Sequence, residues 1–319
     1  MKRSTLWMLG VYYYASQLMG VLSFHYDTNS GEIYTSPSLT IYCAVVSILT
    51  FTALPLVLRV DLNLQTMNAP DLHIRIVGAI CSIRIVVILL TMTMNWTKRH
   101  TFMTTLRRFV KLRQKFLRKW QLSSGVENKF ETAVRLKFLW GSLSDIGLIL
   151  GSLEYFRHQF RLENPILSLA LGVYCSILNI AIFHYYFLIL NINILLRTIN
   201  EELQRIMEQA LKENPTKLCI QLSKDLDELA YFHFQLHTLV IRINDMYGLQ
   251  GISATLCVYL NNVAMIYMNY MAWQYTYMRE FYSLWTEVVT VFAMICYYVE
   301  LTICFGCMMD LLVLYDHPG

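Results

Sequence analysis

Charge is scarce in this sequence: Asp, Glu, Lys and Arg make up 15% of its 319 residues, against 56% hydrophobic residues. A soluble core of this size does not need so much apolar side chain, so water is not the main solvent of the chain. Cysteine pairing is also missing. Of the eight cysteines, Cys43, Cys81, Cys175, Cys219, Cys257, Cys296, Cys304 and Cys307, most fall in apolar stretches and a single pair, Cys304 and Cys307, has CxxC spacing, which argues against a disulfide framework or a zinc ribbon, either of which needs further paired cysteines. Cys304 and Cys307 are one helical turn apart, but no His or acid nearby completes a tetrahedral set, so packing is the expected role. Catalytic signatures are absent as well: no G-x-S-x-G, no H-E-x-x-H, no Walker loop and no paired carboxylates within one apolar window. Neither enzyme activity, nor a metal, nor a cofactor is expected. An internal repeat and paired Gly/Pro-broken helices, the marks of a secondary transporter, are lacking too.

What the chain does have is a series of windows long enough to cross a bilayer core of roughly 30 Å, for which about 20 apolar residues suffice. They are Pro37–Leu58, Ile74–Met94, Val134–Leu153, Pro165–Leu190, Tyr247–Trp273 and Trp285–Leu312. None shows the alternating ten-residue pattern of a barrel, so the expected fold is all-α, a polytopic membrane helical bundle. An earlier window, Thr5–Phe24, contains Gln17 and a run of three tyrosines and has no small-residue cleavage site. It reads as a retained interfacial or re-entrant helix within a cytoplasmic segment 1–36.

Orientation follows from the basic residues. Lys98, Arg99, Arg107, Arg108, Lys111, Arg113, Lys115, Arg118 and Lys119 crowd the connection 95–133, which is therefore expected in the cytoplasm, together with the segment 191–246 two crossings later. On this topology the sequon at Asn95 lies on the inner surface and stays bare. Two cytoplasmic helices are expected. Phe102, Leu106, Phe109, Phe116 and Trp120 form one apolar stripe between basic residues, which suits either an anchor on anionic membrane lipid or a solvated face; orientation already explains the charge, so nucleic acid is not an expected partner. Leu222, Leu226, Leu229, His233, Leu236, Val240 and Ile243 repeat in four-then-three steps and call for a partner helix. The stripe Leu195, Ile199, Leu203, Ile206 and Ala210, separated from them by Asn214-Pro215, supplies it in a helical hairpin. His233 in that seam is read as a hydrogen-bonded core residue or a pH sensor.

Three charges fall near the middle of their windows: Arg84, Asp145 and Glu300. Each alone would cost about 2.5 to 3.5 kcal/mol in the bilayer, so Arg84 is expected to pair with Asp145 or Glu300. Toward the outer half collect Glu154, Tyr155, Tyr174, Asn179, Asn262, Tyr267, Asn269, Tyr270 and Trp273. Aromatic walls with a few amides suit a small, largely apolar ligand, and equally an interfacial aromatic belt with Asn bridging helices.

The stretch Ile243-Asn244-Asp245-Met246-Tyr247-Gly248-Leu249-Gln250 resembles the I-N-x-x-Y-G-x-Q of insect gustatory receptors, where a long cytoplasmic helix runs into the fifth span. Leu18-Met19-Gly20-Val21-Leu22-Ser23-Phe24 is similar to an early hydrophobic-Gly-hydrophobic-Pro-Phe segment of that family, with Ser23 where proline is usual. The stretch ending Met308-Met309-Asp310-Leu311-Leu312 resembles its sixth span. The resemblance implies a ligand-gated cation channel for small tastants, a tetramer, a cytoplasmic amino terminus in the plasma membrane, and an outward-opening pocket in each subunit. It also implies a seventh helix with T-Y and Q-F that four copies bring to the pore, and no such window follows Leu312. The expectation is a short isoform, an incomplete gene model or a decayed receptor that conducts only with full-length subunits. A G-protein-coupled receptor is the main rival; it predicts an external amino terminus, and neither Asp-Arg-Tyr after the third window nor Asn-Pro-x-x-Tyr in the last is present.

Overall fold

Where lipid replaces water, backbone N–H and C=O groups must bond within their own segment, and the apolar windows accordingly lie within long helices. The computed structural model describes residues 2–27, 31–62, 71–159, 165–212, 218–274 and 284–316; within the helices, the side chains at 55–62, 71–74, 77, 81, 148, 151–159, 165–175, 212, 218–219, 268, 272, 284, 286 and 316 lie outside what is described. In chain order come α1 (Arg3–Leu18), β1 (His25–Tyr26), β2 (Ile33–Tyr34), α2 (Pro37–Leu62), α3 (Asp71–Thr97), α4 (Arg99–Lys119), α5 (Ser124–Gln159), α6 (Pro165–Lys212), α7 (Leu218–Gln274) and α8 (Leu284–Asp316). Among the described residues the only strands are the two-residue pair β1 and β2, antiparallel with His25 opposite Tyr34 and Tyr26 opposite Ile33. The fold is a helical membrane bundle.

Five helices are long and apolar enough to cross a membrane among the described residues, through Pro37–Leu54, Gly78–Thr97, Ser176–Leu211, Ile220–Met271 and Glu287–Tyr315. Helix α5, which contains the window Val134–Leu153, is not among them. It carries Arg135, Lys137 and Asp145, and part of its outer half is outside the described side chains. At 48 and 57 residues, α6 and α7 run well past any bilayer, because roughly 20 residues already suffice to cross. Helix α5 packs chiefly on α6 and α8, whereas α3 packs chiefly on α7, α2 and α6.

Helix α1 is anchored near its start to the first turns of α5 and, through the chain that follows it, to the first turn of α4. The Lys2 backbone N–H donates to Glu131 Oε1 at 2.6 Å and the Lys2 ammonium lies 3.1 Å from Glu131 Oε2. After Leu18 the chain reverses at Gly20, whose φ of +70° favours glycine and where a Cβ would press to 3.0 Å against Val46. This is the physical content of the early glycine motif. The chain then reaches Phe24, which packs on Phe102 of α4.

Several basic residues in and just before α4 act as clamps. Arg99 donates to Ser23 O at 2.7 Å and to Thr40 Oγ1 at 2.8 Å. Arg107 donates twice to Ile33 O, at 3.0 and 2.6 Å, and Lys98 donates to Asp245 O at 2.6 Å. The apolar face of α4 lies along α7, with Phe102 against Tyr247, and Phe116 and Trp120 against Phe232. On α7, the heptad residues Leu229, Leu236 and Ile243 are buried in this core, joined by Phe232 and Leu239, while Leu226 is exposed. His233 and His237 both meet the ring of Tyr315 edge-on at 5.6 Å. Burial, and His237 alongside, hold the His233 imidazole below its ordinary value. Its ring contact with Tyr315 makes it part of the packing of α7 against α8.

Lys119 closes the far end of α4, 2.8 Å from Asp225 and 2.6 Å from Glu228. Its hydrogen bond lowers the Asp225 pKa, and bonds to both acids raise that of Lys119. The depressed acid stabilises the fold above its unfolded pKa and that contribution is lost on acidification. The raised lysine stabilises the fold below its unfolded pKa, and that is lost as pH rises through its folded value. The clamp thus works between about pH 4 and about pH 10. On lowering the pH from 6 toward 3.5, the melting temperature of the wild type should fall more steeply than that of an Asp225→Asn/Glu228→Gln variant, with the two curves converging.

Candidate functional site

An ammonium in apolar surroundings must be paired, solvated by other groups, or neutralised. Lys137 on α5 is fully buried and takes the carboxylate of Glu300 on α8, itself 4% exposed, as its direct ion-pair partner. Cys304 Sγ lies 3.4 Å from Lys137 Nζ, and the ring of Tyr186 lies 5.6 Å away. The expected pairing of Glu300 with Arg84 is thereby corrected. Glu300 sits on α8 and faces α5, while Arg84 belongs to α3, which packs on other helices. Lys137 lies inside the window Val134–Leu153 and was the signal to follow; a basic residue in an apolar window next to a helix with a buried acid is its natural partner.

Two turns further along α5, Asp145 Oδ1 accepts a 2.7 Å hydrogen bond from Asn179 Nδ2 of α6, with the Ser176 hydroxyl as a further partner. Small residues let the helices close in here. A Cβ at Gly147 would fall 3.2 Å from Ala293 of α8, and one at Gly141 would fall 2.5 Å from the Tyr12 hydroxyl. Tyr12 stacks on Phe183 with ring centroids 3.6 Å apart and meets Phe138 edge-on. Just inward of this level, Val258 of α7 and Tyr297 of α8 pack with Ile182 and Leu301. One turn outward from Val258 is Asn262, 1% exposed, whose amide nitrogen and oxygen both lack a hydrogen-bond partner. Asp145 and Asn179 thus join α5 to α6 by a polar contact, and Asn262 is a further buried polar group, on α7. Tyr267, five residues beyond Asn262, has a buried hydroxyl without a partner.

The other described members of the predicted cluster lie further along α7. Asn269 is half-buried, and Tyr270 and Trp273 are 55% and 73% exposed at the outer end of α7, as in an interfacial belt. The side chains of Glu154, Tyr155 and Tyr174 lie outside the described residues.

The motif Ile243, Asn244, Tyr247, Gly248 and Gln250 has a different job. Ile243 is completely buried, Asn244 is exposed, and Tyr247 packs between Phe102 and Tyr185. Gln250 Nε2 donates to Thr91 O at 3.4 Å and Asn95 Oδ1 at 3.3 Å, and Gly248 lies on the same turn. Together they fasten α7 to the junction of α3 and α4, where a cavity of about 30 Å³ is lined by Asn95, Arg99, His184, Tyr247 and Gln250 among others. His184 is bonded there to Ser16 Oγ at 2.8 Å. No group of three or more His, Cys, Asp or Glu poised for a metal ion occurs among the described residues.

A polytopic helical bundle with polar groups buried among its spans is the architecture of a multi-pass membrane protein. The profile of the 7tm Chemosensory receptor family matches residues 9–311, and the chain belongs to that family. It is similar to gustatory receptor 36c of Drosophila melanogaster, 24% identical over 308 residues that cover 92% of this chain and 76% of the relative. It is also similar to gustatory receptors 36b and 36a of the same organism, 23% identical over 270 residues and 25% identical over 275, covering 66% and 68% of those chains. The protein is a multi-pass membrane protein of a receptor family that is not known for enzymes.

The Lys137–Glu300 pair yields a direct test. Lys137→Met should destabilise the detergent-solubilised protein by about 3–5 kcal/mol, because it leaves Glu300 buried without its counter-charge. A Lys137→Met/Glu300→Leu double variant should recover most of that loss in a thermal melt.

Proposed function

We propose that the chain is a gustatory receptor subunit of the ligand-gated cation channel type, and that a small, largely apolar tastant enters the outer half of the bundle. The observations that carry this reading are the polar Asp145–Asn179 contact and the buried Asn262 amide, which retains unused hydrogen-bonding capacity. A ligand that bonds these groups in one helix arrangement better than in another shifts the population toward it. Likeness to the 36-series gustatory receptors supports the taste assignment.

The pore is completed in an oligomer with further receptor subunits. Exposed apolar side chains on the extensions of α6 and α7, Leu211 at 85%, Met207 and Phe234, support such contacts, and membrane lipid covers the outward faces of α2 and α8. Placement in the plasma membrane with a cytoplasmic amino terminus is supported by the basic α4 and by the tie of Lys2 to Glu131 at the same end of the bundle. That tie also speaks against a G-protein-coupled receptor with an external amino terminus.

Cells expressing the chain together with a full-length gustatory receptor should show a tastant-evoked cation current that Asn262→Leu weakens. A single cysteine at position 111 should resist an impermeant thiol reagent applied to intact cells and react after permeabilisation. Labelling from outside would overturn the topology, and unaltered currents in Asn262→Leu would overturn the site.

A further inference from the structure

Lys98 and Arg99 stand where the membrane-crossing stretch of α3, Gly78–Thr97, gives way to α4, which is the depth of lipid headgroups. Both are cations without an acid. Lys98 donates to the Asp245 carbonyl, and Arg99 Nη2 donates to the Ser23 carbonyl and the Thr40 hydroxyl. The ion pairs among the described residues involve other basic side chains. Neutral acceptors hold these two side chains in place and leave their charge uncompensated. The positive end of the α4 dipole adds to it, since no side chain caps this helix and no acidic residue occupies its first turn.

The two cations line the cavity at the junction of α3, α4 and α7, together with Asn95 and Gln250. Gln250 is 4% exposed; its Nε2 donates to Thr91 O and Asn95 Oδ1, but its Oε1 has no hydrogen-bond partner. Arg99 Nε–H is likewise buried without a partner. Buried polar groups left in that condition call for an occupant. It must accept a hydrogen bond from Arg99, carry negative charge for Lys98, and donate an O–H to Gln250. The cavity is partly open, and the centre of an oxygen-sized atom can range over about 30 Å³ within it, more than the roughly 10–15 Å³ that one water needs. A water would satisfy the two orphaned atoms but would bring no charge.

We propose that this cavity binds a phosphate group with a hydroxyl on itself or on its ester. The phosphate oxygens accept from Arg99 Nε–H and the Lys98 ammonium at the positive end of α4, and the hydroxyl donates to Gln250 Oε1. The headgroup of an anionic phospholipid and a soluble phosphate share this chemistry, and the depth at the end of a span favours the lipid. A bound phosphate ties α3, α4 and α7 together, so that occupancy stabilises the joint that Tyr247 and Gln250 help to build. The site is separate from the outer half of the bundle and does not depend on the tastant reading.

The test uses the full chain purified in dodecyl maltoside, a detergent without phosphate, and three probes: dioctanoyl phosphatidylglycerol, dioctanoylglycerol, which lacks the phosphate, and inorganic phosphate. Occupancy is read as a saturable rise in melting temperature. The wild type should bind phosphatidylglycerol about tenfold more tightly than dioctanoylglycerol. Lys98→Gln should weaken that binding by about tenfold and Lys98→Arg should keep it. Asn95→Asp, which retains the acceptor for Gln250 but puts negative charge in the cavity, should abolish it. Lys111→Gln, on the exposed face of the same basic helix, should leave it unchanged. A rise with phosphatidylglycerol alone assigns the phosphate to a lipid headgroup; a rise with inorganic phosphate that Asn95→Asp removes supports the same site and assigns it to a soluble source. Equal binding of the two lipids would reduce the effect to acyl chains, and equal losses in Lys98→Gln and Lys111→Gln would reduce it to diffuse surface charge; either overturns the site. No rise with any probe would leave the cavity to water and overturn it as well.

Discussion

Inside hydrocarbon no water waits to satisfy a stray charge, and the Lys137–Glu300 pair is the most demanding instance of that constraint in this protein. Because neither partner can be left alone, α5 and α8 are fixed in rotation and in height relative to one another. The fixed register in turn sets Gly147 against Ala293 and brings Asp145 to the level of Asn179. A buried polar contact can therefore exist at a defined place, with an amide of α6 bonded to a carboxylate of α5. The stability of the bundle and the chemistry of its candidate site depend on the same charge pair.

At the opposite end, polar interactions serve assembly. The turn after α1, the short hairpin and the elbow between α3 and α4 are joined by arginine and lysine donors to backbone carbonyls, at Ser23, Ile33 and Asp245. Carbonyls released by irregular backbone near a membrane surface need such donors. The positive charge that orients the chain is thus partly the same charge that closes its loops. The motif around Tyr247 and Gln250 belongs to this joint, which explains why a stretch that marks family likeness lies away from the Asp145–Asn179 contact.

The long apolar windows were legible because a helix in lipid needs nothing but length and apolarity, and the helices contain Pro37, Pro165, Tyr247 and Trp285 where those windows place them. The heptad of α7 was legible for a similar reason, since Leu229, Leu236 and Ile243 follow a single-helix period. Charge pairing was not. Arg84, Asp145 and Glu300 were all visible as mid-window charges, yet window depth says nothing about which helices are neighbours, and Lys137 was passed over. The outer cluster shows the same limit: Asn179 and Asn262 turn inward while Tyr270 and Trp273 turn outward, a distinction of helix rotation that composition does not carry.

By itself, then, the sequence determined the solvent of this protein, its helical class and its family likeness, since each of these follows from properties summed along one segment. Tertiary structure alone decided that Glu300 answers Lys137, that Asp145 answers Asn179, and that Gly20 turns the chain against Val46. Those are relations between segments distant in the chain, and they exist only once helices have packed at particular rotations, because packing fixes which face of each helix meets its neighbour.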